Sequence, residues 1–359
     1  MINFDQLTGD GDNAKIRALN DQAKAWATKG GAMPTVVLSR RITITEPIKL
    51  RSSLAIVADA GVPAREFGRR PGIHWAGPAG SSMLTWLGEA QINQGYPSDG
   101  SPRDGAFVGL EFTGRPDTHW MPPNNPGDYK GKTLWLYTFR DCGWKNFRTV
   151  WHGAADAVSF AGISHFQGIQ DTALWLGGSE CTLFGGDGHS FADTQTLSGT
   201  PFLRSSLSKS YVGKIMVTAR KSNYGLLVDG GHNTHYACQV DAQDSDPIHG
   251  AGVKITGGEG HVFQGMSLKG IGSQAQGRGW IEVTGGRQHV IEGNSFHRGG
   301  TAKAPTDYPV VYAGGTAEQI KVGLNGFSGW GGAQAIMRED RANRFASFPA
   351  DRTVRYVVG

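Results

Sequence analysis

Cysteine is scarce in this chain. Cys142, Cys181 and Cys238 are odd in number and far apart, which excludes a disulfide framework and leaves no metal-ligand spacing. The expectation is three buried free thiols. Charge is also sparse: 18% of residues are ionic and the net charge is +4, spread along the chain. No basic block offers a nucleic-acid surface, and no acidic tail is present. No apolar run approaches the roughly 18 residues that a membrane-spanning helix needs. The start, Met1-Ile2-Asn3-Phe4-Asp5, is not a cationic apolar leader. The reading is a chain made in a reducing cytosol without a secretion signal of its own, with neither nucleic acid nor membrane insertion among its partners.

Glycine is the abundant residue. The 54 Gly and 16 Pro make up about a fifth of the 359 residues, against a usual share near ~12%. The glycines do not fall at every third position, which excludes collagen. A long helical bundle is excluded because each helical Gly costs roughly 1 kcal/mol. The 10 Trp, 16 Phe and 9 Tyr supply a core and exclude disorder. What remains is a turn-rich, mostly β protein.

One helix opens the chain. Asp10 or Asp12 can cap a helix starting near Asn13. Ile16, Leu19, Ala23, Trp26 and Ala27 recur at helical spacing, and Gly30-Gly31 ends the run. Short β-type runs follow at Val36–Leu38, Ile42–Ile44, Ile48–Leu50 and Leu54–Val57. The order Gly9-Asp10-Gly11-Asp12, helix with Ala18-Leu19-Asn20, Gly30-Gly31, Thr35-Val36-Val37-Leu38, Ile48-Lys49-Leu50 resembles the start of the pectate-lyase superfamily, which includes phage tailspikes. The resemblance covers about 60 residues. It departs at Asn13-Ala14-Lys15, where the family usually has two more acidic residues and a Thr. It implies a capping helix and a first β-helix coil, and it carries no activity with it.

The second half contains a repeat. Gly225–Gly231, Gly252–Gly258, Trp280–Gly286 and Val310–Gly315 each run from short β sequence into a glycine pair, with the second glycines at 231, 258, 286 and 315. Gly178 lies two steps earlier, and the coil between runs through Phe202–Ser206. Such a period fits a parallel β-solenoid, in which each coil buries its apolar face against its neighbours. The predicted fold is all-β: a right-handed, single-stranded parallel β-helix of about 27 residues per coil with an N-terminal capping helix. Residues 1–60 form the cap and first coil, and residues 61–359 form one continuous β-helix with inserted loops. Roughly eleven coils at ~4.8 Å each give a shaft of about 50 Å.

Alternation assigns the faces. Leu226, Val253, Ile281 and Val310 point inward, with Val228, Ile255, Val283 and Tyr312 beside them. Leu227, Lys254, Glu282 and Val311 then point outward, which makes Lys254 and Glu282 a cross-strand ion pair. His235, His261 and His289 recur just past the glycines. They read as a ladder of parallel side chains at a turn, because metal ligands must converge.

Two inserted loops, from Glu89 to Gly105 and from Arg115 to Lys132, leave adjacent coils and bring Tyr96, Asp99, His119, Trp120 and Tyr129 to one corner. Trp and Tyr faces stack on sugar rings, so Tyr96, His119, Trp120 and Tyr129 are the candidate binding residues. The competing reading is that these aromatics pin the loops to the shaft. A second loop pair, from Asp241 to Gly250 and from Arg298 to Pro309, carries Asp241, Asp244 and Asp246 without the spacing of a calcium loop.

A glycosidase on this fold needs two carboxylates about 5–9.5 Å apart. Asp156, Asp171, Glu180, Asp187, Asp193 and Asp229 are available, with His189 and His232 near in sequence. Asp187, His189, Asp193 and Asp229 are the weak catalytic candidates. The polygalacturonase signatures are absent, and no lyase set of clustered aspartates with a basic residue stands out. The resemblance to tailspikes implies a bacteriophage tail protein. It implies a homotrimer in the virion, made in the host cytoplasm, that contacts other tail proteins and recognises host cell-surface polysaccharide without a cofactor. The alternative is a polysaccharide depolymerase, either hydrolase or lyase. A purely architectural tail component is the third reading.

Overall fold

The computed structural model describes residues 1–29, 35–50, 54–59, 70–86, 105–126, 133–162, 165–185, 191–194, 200–219, 224–241, 251–269, 279–297, 310–328, 337–339 and 357–358. They fall in two compact units, Met1–Ser190 and Phe191–Gly359. Among the described residues, apart from the helix α1 (Asp12–Lys29) and one short turn of 3-10 helix, the regular structure is short strands. Their recorded pairings within each unit are parallel. Among the described residues no helix is long and apolar enough to cross a membrane.

Coils of the first unit stack through three ladders. One runs through Val36, Ile56, Phe107, Phe139, Phe160 and Leu183. A second runs through Ile42, Ile73, Phe112, Trp144 and Phe166. The third includes Ile48 on Leu84, the bridges Ser82–His119–Thr149, and Trp151 on Leu174. In-register aromatics pack ring on ring, for example Phe139 on Phe160 at 4.8 Å and Trp144 on Phe166 at 4.7 Å. Each buried ring of this kind contributes about 1.5–3 kcal/mol of apolar burial.

Helix α1 covers the open edge of the first coil. Ile16 and Leu19 face the core. The Asp12 carboxylate is not spent on the helix N-terminus, as a cap would be; it accepts the Thr43 N–H at 2.9 Å and pairs with Arg40 at 2.7 Å. Asn13 Oδ1 accepts the Thr45 N–H at 2.8 Å. Asn20 Oδ1 accepts the Lys49 N–H at 2.8 Å, and its Nδ2 donates to the Pro47 carbonyl at 3.1 Å. Edge amides that would otherwise template another strand are thus closed by helix side chains. Gly30-Gly31, the expected helix stop, lies outside the described residues.

The second unit repeats the plan. Leu203, Leu226, Val253, Ile281 and Val311 form one ladder, with steps of 23, 27, 28 and 30 residues. Val212, Tyr236, Phe263, Ile291 and Val322 form the second. Val240, Leu268, Phe296, Phe327 and Val358 form the third. The skipped coil does run through Leu203. The register corrects the fourth repeat by one residue: Val311 and Ala313 continue the inward column, and Tyr312 stands beside Glu282. The glycine pair Gly314-Gly315 had aligned the coil wrongly because its turn is longer than the preceding ones.

Lys254 and Glu282 are adjacent and paired at 3.7 Å, as alternation predicts. Lys254 also donates to the Tyr224 hydroxyl at 2.9 Å. Among the histidines, His261 and His289 stack with ring centroids 5.3 Å apart and planes 4° from parallel. The residue above them is Thr234, not His235, which lies one position later and pairs with Val262. The Thr234 N–H donates to His261 Nδ1, and the His261 N–H donates to His289 Nδ1, each at 3.3 Å. At the corner that follows the glycines, one residue per coil is left-handed: Lys209, Asn233, Gly260, Gln288 and Gln319, with φ between 47° and 64°.

Candidate functional site

A cavity of about 420 Å³ opens on the second unit at this corner. It is lined by Gly231, Gly258, Gly286 and Thr316 and by a row of side chains, His232, Glu259, Arg287 and Glu318. The row is built by the fold: consecutive members are bridged in parallel, one per coil. Each therefore sits ~4.8 Å from the next, and the row runs along the stacking direction.

The glycines are required where they stand. Gly258 has φ +88° and Gly286 has φ +80°, and a Cβ at either would collide with the ring of His261 or His289 below. The chain thus leaves the core at a left-handed glycine, exposes one polar residue, and turns back at the next left-handed residue. The groove floor is bare backbone, and its wall is the polar row.

Electrostatics within the row are alternating. Arg287 Nη2 donates to Glu259 Oε2 at 2.9 Å, with both side chains about half exposed. That hydrogen bond, the charge of Glu259 and the more distant charge of Glu318 hold the Arg287 pKa above its usual value. His232 Nδ1 lies 3.3 Å from Ser208 Oγ on the preceding coil. Two carboxylates thus accompany one guanidinium. No group of three or more His, Cys, Asp or Glu among the described residues is arranged to hold a metal.

Most described residues singled out from the sequence stand elsewhere. Trp120 is fully buried, packed against Phe112 at 5.3 Å and against Phe139 and Trp144 at 5.4 Å each. Its ring faces are occupied by protein, so it pins its loop to the core and offers no stacking surface to a sugar. His119 is buried beside it, with Nδ1 at 2.6 Å from Thr149 Oγ1, and burial foremost lowers its pKa. Tyr96, Asp99 and Tyr129 lie outside the described residues, as do Asp187, His189, Asp244 and Asp246. Asp193 is in the strand Phe191–Thr194, opposite Thr218. Asp229 is held by an ion pair to Arg204 and by the Ser206 hydroxyl at 2.5 Å, which makes it a coil-to-coil tie. Asp156 similarly accepts the Ser179 hydroxyl at 2.6 Å. Of the described candidate residues named from sequence, only His232 lines the groove. Glu259, Arg287 and Glu318 were missed, although the first two follow the repeat's second glycines directly.

No model of a known protein family matches the chain, and no curated protein matches it in sequence. Solved structures do resemble it. DFA-IIIase from Arthrobacter chlorophenolicus A6 without its lid, in complex with GF2, is 12% identical with a TM-score of 0.57, covering 100% of this chain and 91% of that one. The A-module of the mannuronan C-5 epimerase AlgE6 from Azotobacter vinelandii is 12% identical with a TM-score of 0.52, covering 100% of this chain and 98% of that one. The enzymatically active domain of tailspike protein 2 from bacteriophage CBA120 is 10% identical with a TM-score of 0.49, and 42% of that chain is covered, too distant a likeness to bear on function. The ladders and these neighbours define the class: an all-β, right-handed parallel β-helix. This is the architecture implied by the resemblance of the first 60 residues to the pectate-lyase superfamily.

Proposed function

We propose that the chain is a tailspike-like bacteriophage tail protein that recognises host cell-surface glycan. The observation that carries the reading is the groove of the second unit, where His232, Glu259, Arg287 and Glu318 repeat once per coil along a glycine floor. A linear polymer of hydrogen-bonding units is the ligand that a linear, evenly spaced row of donors and acceptors fits. The Gly-Asp-Gly start and capping helix support the phage assignment, and with it the homotrimer and the place in the virion. Binding without cleavage is the favoured form, because the Glu259 carboxylate is engaged by Arg287 rather than poised toward an empty partner.

The test is adsorption of labelled protein to host cells and to their extracted envelope polysaccharide. Wild type binds both. A variant carrying Glu259→Lys and Glu318→Lys keeps its melting temperature and loses binding. Retained binding in that variant moves the site elsewhere. New reducing ends, or an unsaturated product released from the polysaccharide, convert the reading to a depolymerase. Size measurement in solution tests the trimer.

A further inference from the structure

We infer that the groove is selective for an amine-bearing polysaccharide and discriminates against polyuronates. The inference rests on the glycan reading above and specifies the ligand's charge. The row holds two carboxylates and one guanidinium. Arg287, the cation that would receive an acidic sugar, is already hydrogen-bonded to Glu259 at 2.9 Å. Glu318 stands one coil beyond Arg287 and is exposed; its backbone bonds Gly286 and Gln288, and its carboxylate makes no hydrogen bond or ion pair among the described residues. A bound chain meets one compensated ion pair and one surplus negative charge. His232, at the other end of the row, is exposed and next to the Ser208 hydroxyl.

The consequence differs for the two classes of polymer. A uronic acid over Arg287 must displace Glu259 from its ion pair, and each further carboxylate along the chain faces Glu259 or Glu318 across a strand spacing of ~4.8 Å. An amino sugar over Glu318 gains a charge-assisted hydrogen bond and displaces nothing. Its neighbouring hydroxyls then lie over the glycine floor at Gly258 and Gly286, which line the groove without side chains of their own.

The experiment compares three oligosaccharide probes of equal length by calorimetry at low and moderate salt: glucosamine oligomers, N-acetylglucosamine oligomers and galacturonate oligomers. The expected order is glucosamine, then N-acetylglucosamine, then galacturonate, with at least tenfold between first and last, narrowing as salt rises. Glu318→Gln lowers glucosamine affinity about tenfold and N-acetylglucosamine affinity by much less. Glu259→Gln frees Arg287 and raises galacturonate affinity. Both exchanges are at exposed side chains, and unchanged melting curves confirm the fold. Equal or tighter galacturonate binding, or indifference to Glu318→Gln, overturns the inference. If host envelope polysaccharide still binds in that event, the glycan reading stands alone; if neither envelope nor any probe binds, both fall.

Discussion

Asn20, on the capping helix, answers both backbone groups exposed by the turn into the strand Ile48–Leu50: its Oδ1 accepts from Lys49 and its Nδ2 donates to Pro47. One amide side chain, nearly buried, closes a stretch of open sheet edge. Replacing it by Leu keeps the volume and leaves a donor and an acceptor unsatisfied. The expected loss is about 1–3 kcal/mol, read as a lowered urea midpoint. Loss of the edge cover also predicts faster aggregation on mild heating.

The His261–His289 pair makes stability fall in acid. Burial is the main cause that pushes both pKa values down to about 4 from the ordinary 6.5. Each ring accepts a backbone N–H at Nδ1, a bond that only the neutral ring can make. A depressed folded pKa means that the unfolded chain takes up protons first as pH falls. The contribution is therefore intact above pH 6.5 and is lost progressively down to about pH 4, by up to about 3 kcal/mol per ring. Urea midpoints at pH 7 and pH 4.5 should show the drop. A double exchange of His261 and His289 to Phe should flatten that part of the profile; an unchanged slope would assign the acid sensitivity to other groups.

Trp120→Ala is a core mutation. The ring lies among Phe107, Phe112, Phe139 and Trp144. Its removal should cost about 3–5 kcal/mol, seen as a large fall in melting temperature. Any loss of glycan binding in this variant should track the unfolded fraction and recover at lower temperature.

The three thiols should be silent while the protein is folded. Cys142, Cys181 and Cys238 are free and buried, and desolvation pushes each pKa up to about 12. A thiol reagent at pH 8 should label none in buffer and three in denaturant. Partial labelling in buffer would reveal local opening of a coil.

How much of this was legible in the sequence depends on what marked the register. Lys254 and Glu282 could be paired from sequence because a glycine pair stood at a fixed distance after each. The same device fails at Val310 and Tyr312, because the fourth coil carries one extra residue between its strand and Glu318, and the glycine pair no longer marks one position. His235 falls outside the histidine column because it stands four residues after Gly231, whereas His261 and His289 stand three residues after theirs. Thr234 occupies the equivalent place. The groove was within reach by the same count: the residue directly after each second glycine is His232, Glu259 and Arg287. Trp120 misled for a different reason. It sits in a long connection rich in proline and polar residues, and only the parallel bridges from Ser82 through His119 to Thr149 reveal that the connection enters the coil at that point. Burial there depends on long-range register, to which local alternation is blind.

The column of left-handed residues at Lys209, Asn233, Gly260, Gln288 and Gln319 has a consequence for how such a groove changes over generations. Each corner repeats one backbone solution, so a whole coil can be gained or lost without disturbing the geometry of the rest. A gained coil lengthens the groove by one side chain at unaltered pitch, and the identity of that side chain is unconstrained by packing because it points outward. The polar row thus behaves as a ruler whose graduations are set by the backbone and whose markings are free to be rewritten.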